Sequence, residues 1–376
     1  MKRISALIFS LITVFLIFPF DVFSDQSISV NAKAAVLYCA NNKSVIFAKN
    51  PDDRLPVAST TKIMTALLTL EQNTPERVVE VTEDAVRVEG TAMGLKKGDR
   101  VSYYSLACGM LLSSGNDAAN VAALSVAGSI SDFAVLMNKK AKEIGMRNTS
   151  FVTPSGLDAE NHYSSAYDMA ILGAYAVDNP SFRDICSKKS IKVSFGNPER
   201  EFTLYNHNKL LSGVDGVFGI KTGFTKKSGR CLVSACERNG ITLICVTLND
   251  PDDWTDHKKL IEYGFENCVL LDDDFTEVGV RVVGGNKRAI DVEESEIPIS
   301  FNTSESDVFR LVLTEQFLYA PVKKGQKVGT AYYYGNNGEL LCSVELLSAR
   351  EVERVRVIKQ EKKKSFFEKI MDFFGS

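Results

Sequence analysis

The chain has 376 residues, of which 45% are hydrophobic and 24% are charged, and its formal net charge at pH 7 is -3. This length is enough for two domains with well-buried cores. The balanced charge gives no global basic field, so the composition excludes a protein that works mainly by binding nucleic acid.

The N-terminal segment has the three-part pattern of a secretory signal peptide. Two basic residues precede an almost wholly apolar run over 4–20, and small residues near Ser24 provide a cleavage site. The sequence therefore predicts a signal peptide over 1–24 and an exported protein. Because the apolar run is close to one membrane-spanning length, a retained anchor is the alternative.

Eight cysteines are spread over the rest of the chain. An even count in an exported protein suggests disulfides, but most of these cysteines lie in apolar runs such as 106–110 and 243–246. Buried free thiols acting as small hydrophobic side chains are the favoured interpretation. With three histidines and no C-x-x-C pair, the sequence predicts no metal site, and it implies no cofactor.

The predicted elements begin with an α+β block. It contains a strand pair, several helices, three more strands and a closing helix, predicted at Ala35–Cys39, Val45–Ala48, 59–70, 104–127, 131–144, 165–177, Val217–Thr222, Arg230–Ala235, Ile241–Leu248 and Trp254–Phe265. Short turns join the last three strands, so these strands pair antiparallel. The two strand groups form one sheet only if the ends of the block meet, which predicts an α+β domain over 27–268.

A second, smaller block follows about residue 272. Alternating valines at 277–283 and strand patterns at 298–301, 328–334 and 340–347 predict a β-rich domain over 272–358. In the tail, 360–376, three lysines precede apolar residues at helical spacing, which are Phe366, Phe367, Ile370, Met371 and Phe374. Such a helix suits an anionic membrane surface, and packing on another protein is the alternative.

Ser59 and Lys62 are three residues apart at the start of a predicted helix, so they share a face. A serine hydroxyl needs a base to become a nucleophile. A lysine becomes that base when burial and nearby positive charge lower its pKa, and the helix N-terminus offers backbone N–H groups to an oxyanion. Taken alone, the pair is also consistent with a helix cap and a surface lysine.

Two further short elements carry hydroxyl, amide and ammonium groups. Ser114 can relay a proton to a leaving amine, and the Asn116 amide can hold a substrate peptide group. Lys221 and Thr222, at the end of a predicted strand, can bind a substrate carboxylate, and Gly223 lets a ligand approach closely. Each element alone is also consistent with a helix N-cap or a protected edge strand.

The order of the three elements is more specific than any one of them. They are separated by 55 residues (114 minus 59) and 107 residues (221 minus 114), and together they match the signature of β-lactamases and penicillin-binding proteins. From about Ala35 to the C-terminus the chain resembles the low-molecular-weight penicillin-binding proteins, the serine D-Ala-D-Ala carboxypeptidases of peptidase family S11. The stretches that carry the resemblance are Pro56–Ala66, Leu112–Ala119, Gly156–Asp158 with His162–Ala170, and Asp215–Thr225 with Ser228–Gly229.

The resemblance implies a fold, an activity and a location. The fold is an antiparallel sheet with helices of the β-lactamase and penicillin-binding-protein type, with a small C-terminal β-rich domain and an amphipathic tail helix. The activity is removal of the terminal D-alanine from peptidoglycan stem pentapeptides, with β-lactam antibiotics as inhibitors. The location is the extracytoplasmic face of the cell membrane or the cell wall.

The resemblance also implies a role for each site residue. Ser59 forms the acyl-enzyme, Lys62 is the general base and Ser114 is the proton relay. The substrate-binding residues are Asn116 for the amide, Lys221 and Thr222 for the terminal carboxylate, Gly223 beside them, and Phe224, whose backbone N–H forms the oxyanion hole with that of Ser59. His207 stands where some members of the family are expected to have arginine or another residue, which leaves its part in carboxylate binding open. A plain polar loop residue is the alternative.

Other functions remain as alternatives. A class A β-lactamase needs a deacylating glutamate, but Glu160 lies in no Glu-x-x-Leu-Asn stretch. A Ser-His-Asp hydrolase of the α/β type lacks support because no Gly-x-Ser-x-Gly element is present. A D,D-endopeptidase would use the same residues on cross-links, and a noncatalytic wall-binding protein would be expected to have lost some of them.

Overall fold

The computed structural model describes residues 28–271, 275, 278–296, 298–301 and 308–355. The predicted signal peptide over 1–24 and the predicted tail helix over 360–376 lie outside the described residues. The chain divides into two compact units. Among the described residues, the first contains the chain up to Leu37 with Phe47–Ala235 and Ile244–Leu260, and the second contains Tyr38–Ile46, Cys236–Leu243 and the chain from Ile261.

Eight α-helices form within the described residues. They are α1 Lys62–Leu70, α2 Glu83–Val86, α3 Tyr103–Leu111, α4 Asn116–Ala127, α5 Ile130–Glu143, α6 Ala166–Val177, α7 Pro180–Ser187 and α8 Asp253–Glu266. The helical pattern predicted over 104–127 is thus two helices, α3 and α4. The break between them contains Ser114, whose φ of 58° lies in the left-handed region that an α-helix cannot continue through.

The β-strands number seventeen over the same residues. They are β1 Ala34–Cys39, β2 Ser44–Lys49, β3 Val78–Glu80, β4 Arg100–Ser102, β5 Ser190–Gly196, β6 Glu199–Tyr205, β7 Val217–Thr225, β8 Gly229–Arg238, β9 Ile241–Leu248, β10 Cys268–Leu270, β11 Gly279–Val283, β12 Ala289–Glu294, β13 Ile299–Phe301, β14 Val308–Thr314, β15 Phe317–Tyr319, β16 Lys327–Gly335 and β17 Leu340–Ser348.

The predicted meeting of the two strand groups is confirmed. They form one five-stranded sheet in the order β2-β1-β9-β8-β7. Every residue of β9 is buried, as expected for a strand covered on both faces, while β7 lies at the sheet edge. The Lys-Thr-Gly element is therefore on an edge strand, where one side of the backbone can face a ligand.

Helix α1 lies in the core of the first unit, and all nine of its residues are buried. A four-stranded sheet in the order β3-β4-β5-β6 also belongs to this unit, and the sequence did not predict it. Two of its strands have only three residues, which is too short for an alternating pattern to be recognised.

The second unit is rich in β-structure. A six-stranded sheet has the order β14-β16-β17-β12-β11-β15, and β10 pairs with β13. Its hydrophobic core consists of buried residues from several strands, including Val280, Ile290, Ala331 and Leu346. The small C-terminal β-rich part that the sequence predicted is present, although β10, β12, β14 and β15 were missed.

All eight cysteines are free thiols. Six are buried, while Cys268 and Cys342 are half-buried, so the interpretation as buried hydrophobic thiols is confirmed for six. Burial raises the pKa of the Cys186 thiol to about 12, which keeps this group in its unreactive protonated form.

Among the described helices, none is by itself long and apolar enough to cross a membrane, and one consecutive pair, α4 and α5, meets that test jointly across an 86° bend.

Candidate active site

Ser59 lies in a 3-10 turn, Ala58–Thr61, directly before α1. Lys62 is the first residue of α1, and its Nζ lies 2.8 Å from Ser59 Oγ. The same Nζ also donates to the Ser155 carbonyl oxygen at 2.7 Å. Ala58 has a φ of 47°, a left-handed conformation that alanine rarely adopts. The turn is therefore strained next to the hydroxyl that chemistry would use.

The environment of Lys62 favours its neutral amine. Its side chain is fully buried, and burial lowers its pKa well below the usual value for lysine. The positive charge of Lys221 lowers this pKa further, while the negative charge of Asp117 acts in the opposite direction. A neutral amine at hydrogen-bond distance can accept the proton of the serine hydroxyl.

The two residues predicted between helices lie where α4 begins. Ser114 is buried in the turn, and Asn116 is the first residue of α4. The Asn116 side-chain amide donates to the Glu89 carbonyl oxygen at 2.6 Å. Asn116 therefore also holds the loop before β4, a contact that the sequence did not indicate.

Asp117 is a buried residue that the predicted site left out. Its carboxylate accepts from the backbone N–H groups of Met93, Gly94 and Leu95, at 2.7, 2.9 and 3.0 Å. These bonds fix the loop over 89–95 against the start of α4. The only sequence signal was that Asp117 lies within the stretch that resembles the family.

Asp117→Asn is expected to reduce the free energy of unfolding by about 2 kcal/mol, because an amide accepts these bonds less well than a carboxylate. Since the Asp117 charge raises the pKa of Lys62, the variant should also shift the rising limb of a penicillin acylation profile to lower pH. Urea unfolding and stopped-flow acylation measure the two effects. Asp132→Asn, in the first turn of α5 on an exposed face, is the control, and an equal loss there would contradict the assignment.

Lys221 is buried on β7. Its Nζ donates to the Thr222 carbonyl oxygen at 2.9 Å, and burial lowers its pKa to about 7. A Cβ built on Gly223 would lie 3.0 Å from the backbone nitrogen of Ser59. Strand β7 therefore runs directly against the Ser59 turn, and a glycine at this position keeps that approach possible.

Two of the remaining predicted residues, Thr222 and Phe224, lie on β7. Thr222 is half-buried on this strand, and the Phe224 side chain is exposed. His207 is exposed, and its pKa is lowered by partial desolvation and by the positive charge of Lys221. Lys221 therefore provides the positive charge in this part of the site, and that charge acts on the His207 imidazole.

His162 forms hydrogen bonds to residues beside Ser59 and was not among the predicted site residues. Its Nδ1 accepts from the backbone N–H groups of Val152 and Thr153, at 3.0 and 3.2 Å. Nε2 must then carry the proton, and it donates to Thr61 Oγ1 at 2.9 Å. His162 therefore connects the Ser59 turn to the loop that carries Ser155.

His162 is expected to make the fold sensitive to acid. Burial lowers its pKa from 6.5 to about 4. The unfolded chain binds this proton first, so stability falls as the pH drops from about 6.5 to about 4, by about 3 kcal/mol. A His162→Asn variant should lose less stability than the parent over this interval in thermal unfolding. His257, whose pKa burial lowers to about 3, titrates in both proteins, and parallel curves would contradict the prediction.

Comparisons with known proteins agree with this geometry. The model of the D-alanyl-D-alanine carboxypeptidase family matches residues 21–252, and that of the penicillin-binding protein 5 C-terminal domain matches 265–354. The chain is 32% identical to D-alanyl-D-alanine carboxypeptidase DacF of Bacillus subtilis over 87% of both chains. It is 33% identical to DacC of Escherichia coli over 96% of this chain and 92% of the relative.

Solved structures show the same relationship. Penicillin-binding protein 5 from Haemophilus influenzae is 30% identical, with a TM-score of 0.70 over 88% of this chain and all of that one. The Streptomyces K15 DD-transpeptidase is 28% identical, with a TM-score of 0.61 over 64% of this chain and all of that one. The family model, the relatives and the solved structures show that the chain belongs to the D-alanyl-D-alanine carboxypeptidase family, the S11 family of serine peptidases among the penicillin-binding proteins.

Proposed function

We propose that this protein removes the terminal D-alanine from peptidoglycan stem peptides through an acyl-enzyme on Ser59. The observation that carries the proposal is the 2.8 Å approach of Lys62 Nζ to Ser59 Oγ, with Lys62 buried and its pKa lowered. The family supplies the reaction class, and the geometry supports a nucleophile with an adjacent base.

Acylation follows from the positions of the hydroxyls and the amine. Lys62 takes the proton of Ser59 as Oγ attacks the carbonyl carbon of the penultimate D-alanine. The peptide bond then breaks, and the leaving D-alanine amine receives a proton through Ser114. Water hydrolyses the acyl-serine in the second half of the reaction and restores the Ser59 hydroxyl.

Binding of the substrate is assigned to β7 and to the start of α4. The terminal carboxylate lies at Lys221 and Thr222, where an ammonium and a hydroxyl suit an anion. The Asn116 side chain holds the substrate amide. The backbone N–H groups of Ser59 and Phe224 form the oxyanion hole, because β7 runs against the Ser59 turn at Gly223.

The sequence supports an exported protein attached to the membrane surface. The proposed parts are a signal peptide over 1–24, a peptidase domain over 27–268, a β-rich domain over 272–358 and an amphipathic helix over 360–376. The lysines and phenylalanines of this last segment suit an anionic bilayer. The enzyme would then act on wall peptides at the extracytoplasmic face of the membrane, where β-lactams inhibit it.

Incubation of the protein lacking residues 1–24 with a labelled penicillin tests the proposal by intact mass, beside Ser59→Ala. A lasting adduct on the parent that is absent from the variant is expected. Rapid turnover of the penicillin without adduct would favour a β-lactamase. Folded protein that gives neither adduct nor turnover would favour a noncatalytic wall-binding role.

Substrate choice is tested separately with a stem pentapeptide and a cross-linked peptide dimer. Release of free D-alanine from the pentapeptide is expected to dominate. Faster cleavage of the cross-link would instead assign the enzyme to D,D-endopeptidases, which use the same site residues.

A further inference from the structure

An exposed apolar surface lies where the described chain ends, and we call its residues Val283, Phe317, Tyr319 and Val355 the exit patch. We propose that the exit patch contacts an anionic lipid surface, so that the second unit itself touches the membrane beside the tail. This inference rests on the membrane attachment proposed for the tail, and it adds a contact that the tail does not provide.

The strand register brings the patch together. Strands β11 and β15 pair in parallel, with Val283 opposite Tyr319 and Arg281 opposite Phe317. The alternate residues Val280 and Val282 are buried in the core, and Leu318 packs against it, so Val283, Phe317 and Tyr319 lie on the outer face.

The patch is strongly exposed for its composition. Tyr319 is 71% exposed, Val355 50%, Phe317 45% and Val283 41%. The rings of Phe317 and Tyr319 meet edge to face, with centroids 5.4 Å apart. Neighbouring aromatic rings with a phenolic hydroxyl at their edge are the side chains that prefer the boundary between hydrocarbon and water.

The described residues of the second unit end at this surface. The Val355 N–H donates to the carbonyl oxygen of Gly284 at 2.9 Å, and Gly284 is the residue that follows Val283. Ten residues, 356–365, separate Val355 from Phe366, the first apolar residue of the predicted tail helix. Ten residues span at most about 36 Å, so a tail lying on a membrane keeps the exit patch near that same surface.

The charge around the patch favours anionic lipid. The segments 279–289, 315–324 and 353–355 contain two acidic residues, Glu315 and Glu353. The same segments contain six exposed basic residues, which are Arg281, Lys287, Arg288, Lys323, Lys324 and Arg354. Lysines and arginines beside exposed aromatic residues are typical of surfaces that bind anionic bilayers.

A protein partner fits the patch less well. A stable protein–protein interface uses about 20–30 residues from each side, whereas the patch has four apolar residues. A bilayer needs only a few inserted side chains with basic residues around them. A second exposed stripe, formed by Phe309, Leu311 and Leu313 on β14, makes self-association the alternative to monitor.

Tryptophan quenching tests the inference on the full chain lacking residues 1–24. The parent has one tryptophan, Trp254, so an indole added by Tyr319→Trp is measured as the difference from the parent. With vesicles of phosphatidylglycerol and phosphatidylethanolamine that carry brominated acyl chains, we expect quenching and a blue shift for Tyr319→Trp. The control is Tyr205→Trp, at a tyrosine of similar exposure (66%) on β6, where no quenching is expected.

Each result has a defined meaning. Binding of the full chain without quenching at position 319 would overturn the inference and leave the tail as the anchor. No binding at all would overturn both membrane contacts, while the penicillin adduct tests the catalytic proposal independently. An emission change that depends on protein concentration without vesicles would identify a second copy as the occupant and overturn the lipid assignment.

A binding measurement gives the size of the effect. The double variant Phe317→Ser with Tyr319→Ser is expected to lower partition into these vesicles about tenfold, because two apolar side chains no longer enter the interface. The acylation rate should stay unchanged in this variant. Unchanged partition would overturn the inference.

Discussion

Replacing Lys62 by methionine is expected to slow acylation by penicillin about 1,000-fold while the protein stays folded. The amine is the group that receives the Ser59 proton, and a positioned general base contributes about 100- to 10,000-fold. Methionine keeps an unbranched apolar side chain in the buried site and removes the group that burial disfavours, but it also removes the hydrogen bond to the Ser155 carbonyl oxygen. These effects oppose each other, so thermal unfolding should occur near the parent temperature, and stopped-flow acylation measures the rate.

Lys140→Met is the matched control. Lys140 is also largely covered, and it forms ion pairs with Glu71 and Glu143 at 3.1 and 3.2 Å, but it has no part in the proposed chemistry. Its substitution should leave the acylation rate unchanged. A Lys62→Met enzyme that acylates within tenfold of the parent would contradict the assignment of Lys62 as the base.

The pH dependence gives an independent check on the same residue. Acylation needs the neutral Lys62, so the rate should rise with pH through its lowered pKa. In Lys221→Met, burial still lowers that pKa but the nearby positive charge is gone. The pKa of Lys62 then increases, and the rising limb should move to higher pH. If the rising limb of the pH–rate profile of Lys221→Met stays at the parent pH, a group other than Lys62 determines it.

The sequence predicted the local part of the site well because helical geometry is local. Two residues three apart at a helix start must share a face, and the structure places Ser59 and Lys62 in contact. Ser114 and Lys221 are 55 and 162 residues from Ser59 (114 minus 59, 221 minus 59), and no periodicity brings such distant positions together. Their placement came from the family resemblance.

The supporting residues were missed for a related reason. His162 and Asp117 act through bonds to backbone N–H groups, and a sequence does not reveal which backbone groups need a partner. The β5–β6 hairpin was missed although polar and apolar residues alternate along β5. Its partner β6 begins with three charged residues, so the apolar alternation does not extend across both strands. In contrast, six of the eight residues of β9 are apolar, and this strand was predicted with its full bounds.

Gly156→Ala is expected to damage both stability and acylation, because this glycine lies against the Ser59 turn. Its φ is 82°, and a Cβ there would lie 1.9 Å from the Ala58 carbonyl oxygen and 2.7 Å from Thr61 Oγ1. The contact is with backbone, so the turn or the loop must move. We expect a loss of about 4 kcal/mol or more in the free energy of unfolding, as for severe steric conflicts, and acylation at least 100-fold slower.

Gly128→Ala is the control that separates the cost of a left-handed backbone conformation from the cost of a steric conflict. Gly128 has nearly the same φ, 81°, at the end of α4, but a Cβ built there meets nothing within 4 Å. The free energy of unfolding of this variant should therefore fall by only about 1–2 kcal/mol, the cost of a left-handed conformation for alanine. Its acylation rate should equal that of the parent. Equal losses in the two variants would mean that φ alone requires glycine at 156. A larger loss at 156 that slows acylation would show that the loop over 153–157 holds the Ser59 turn in its reactive geometry. Since Ser155 in that loop also binds Lys62, one displacement would then disturb nucleophile and base together.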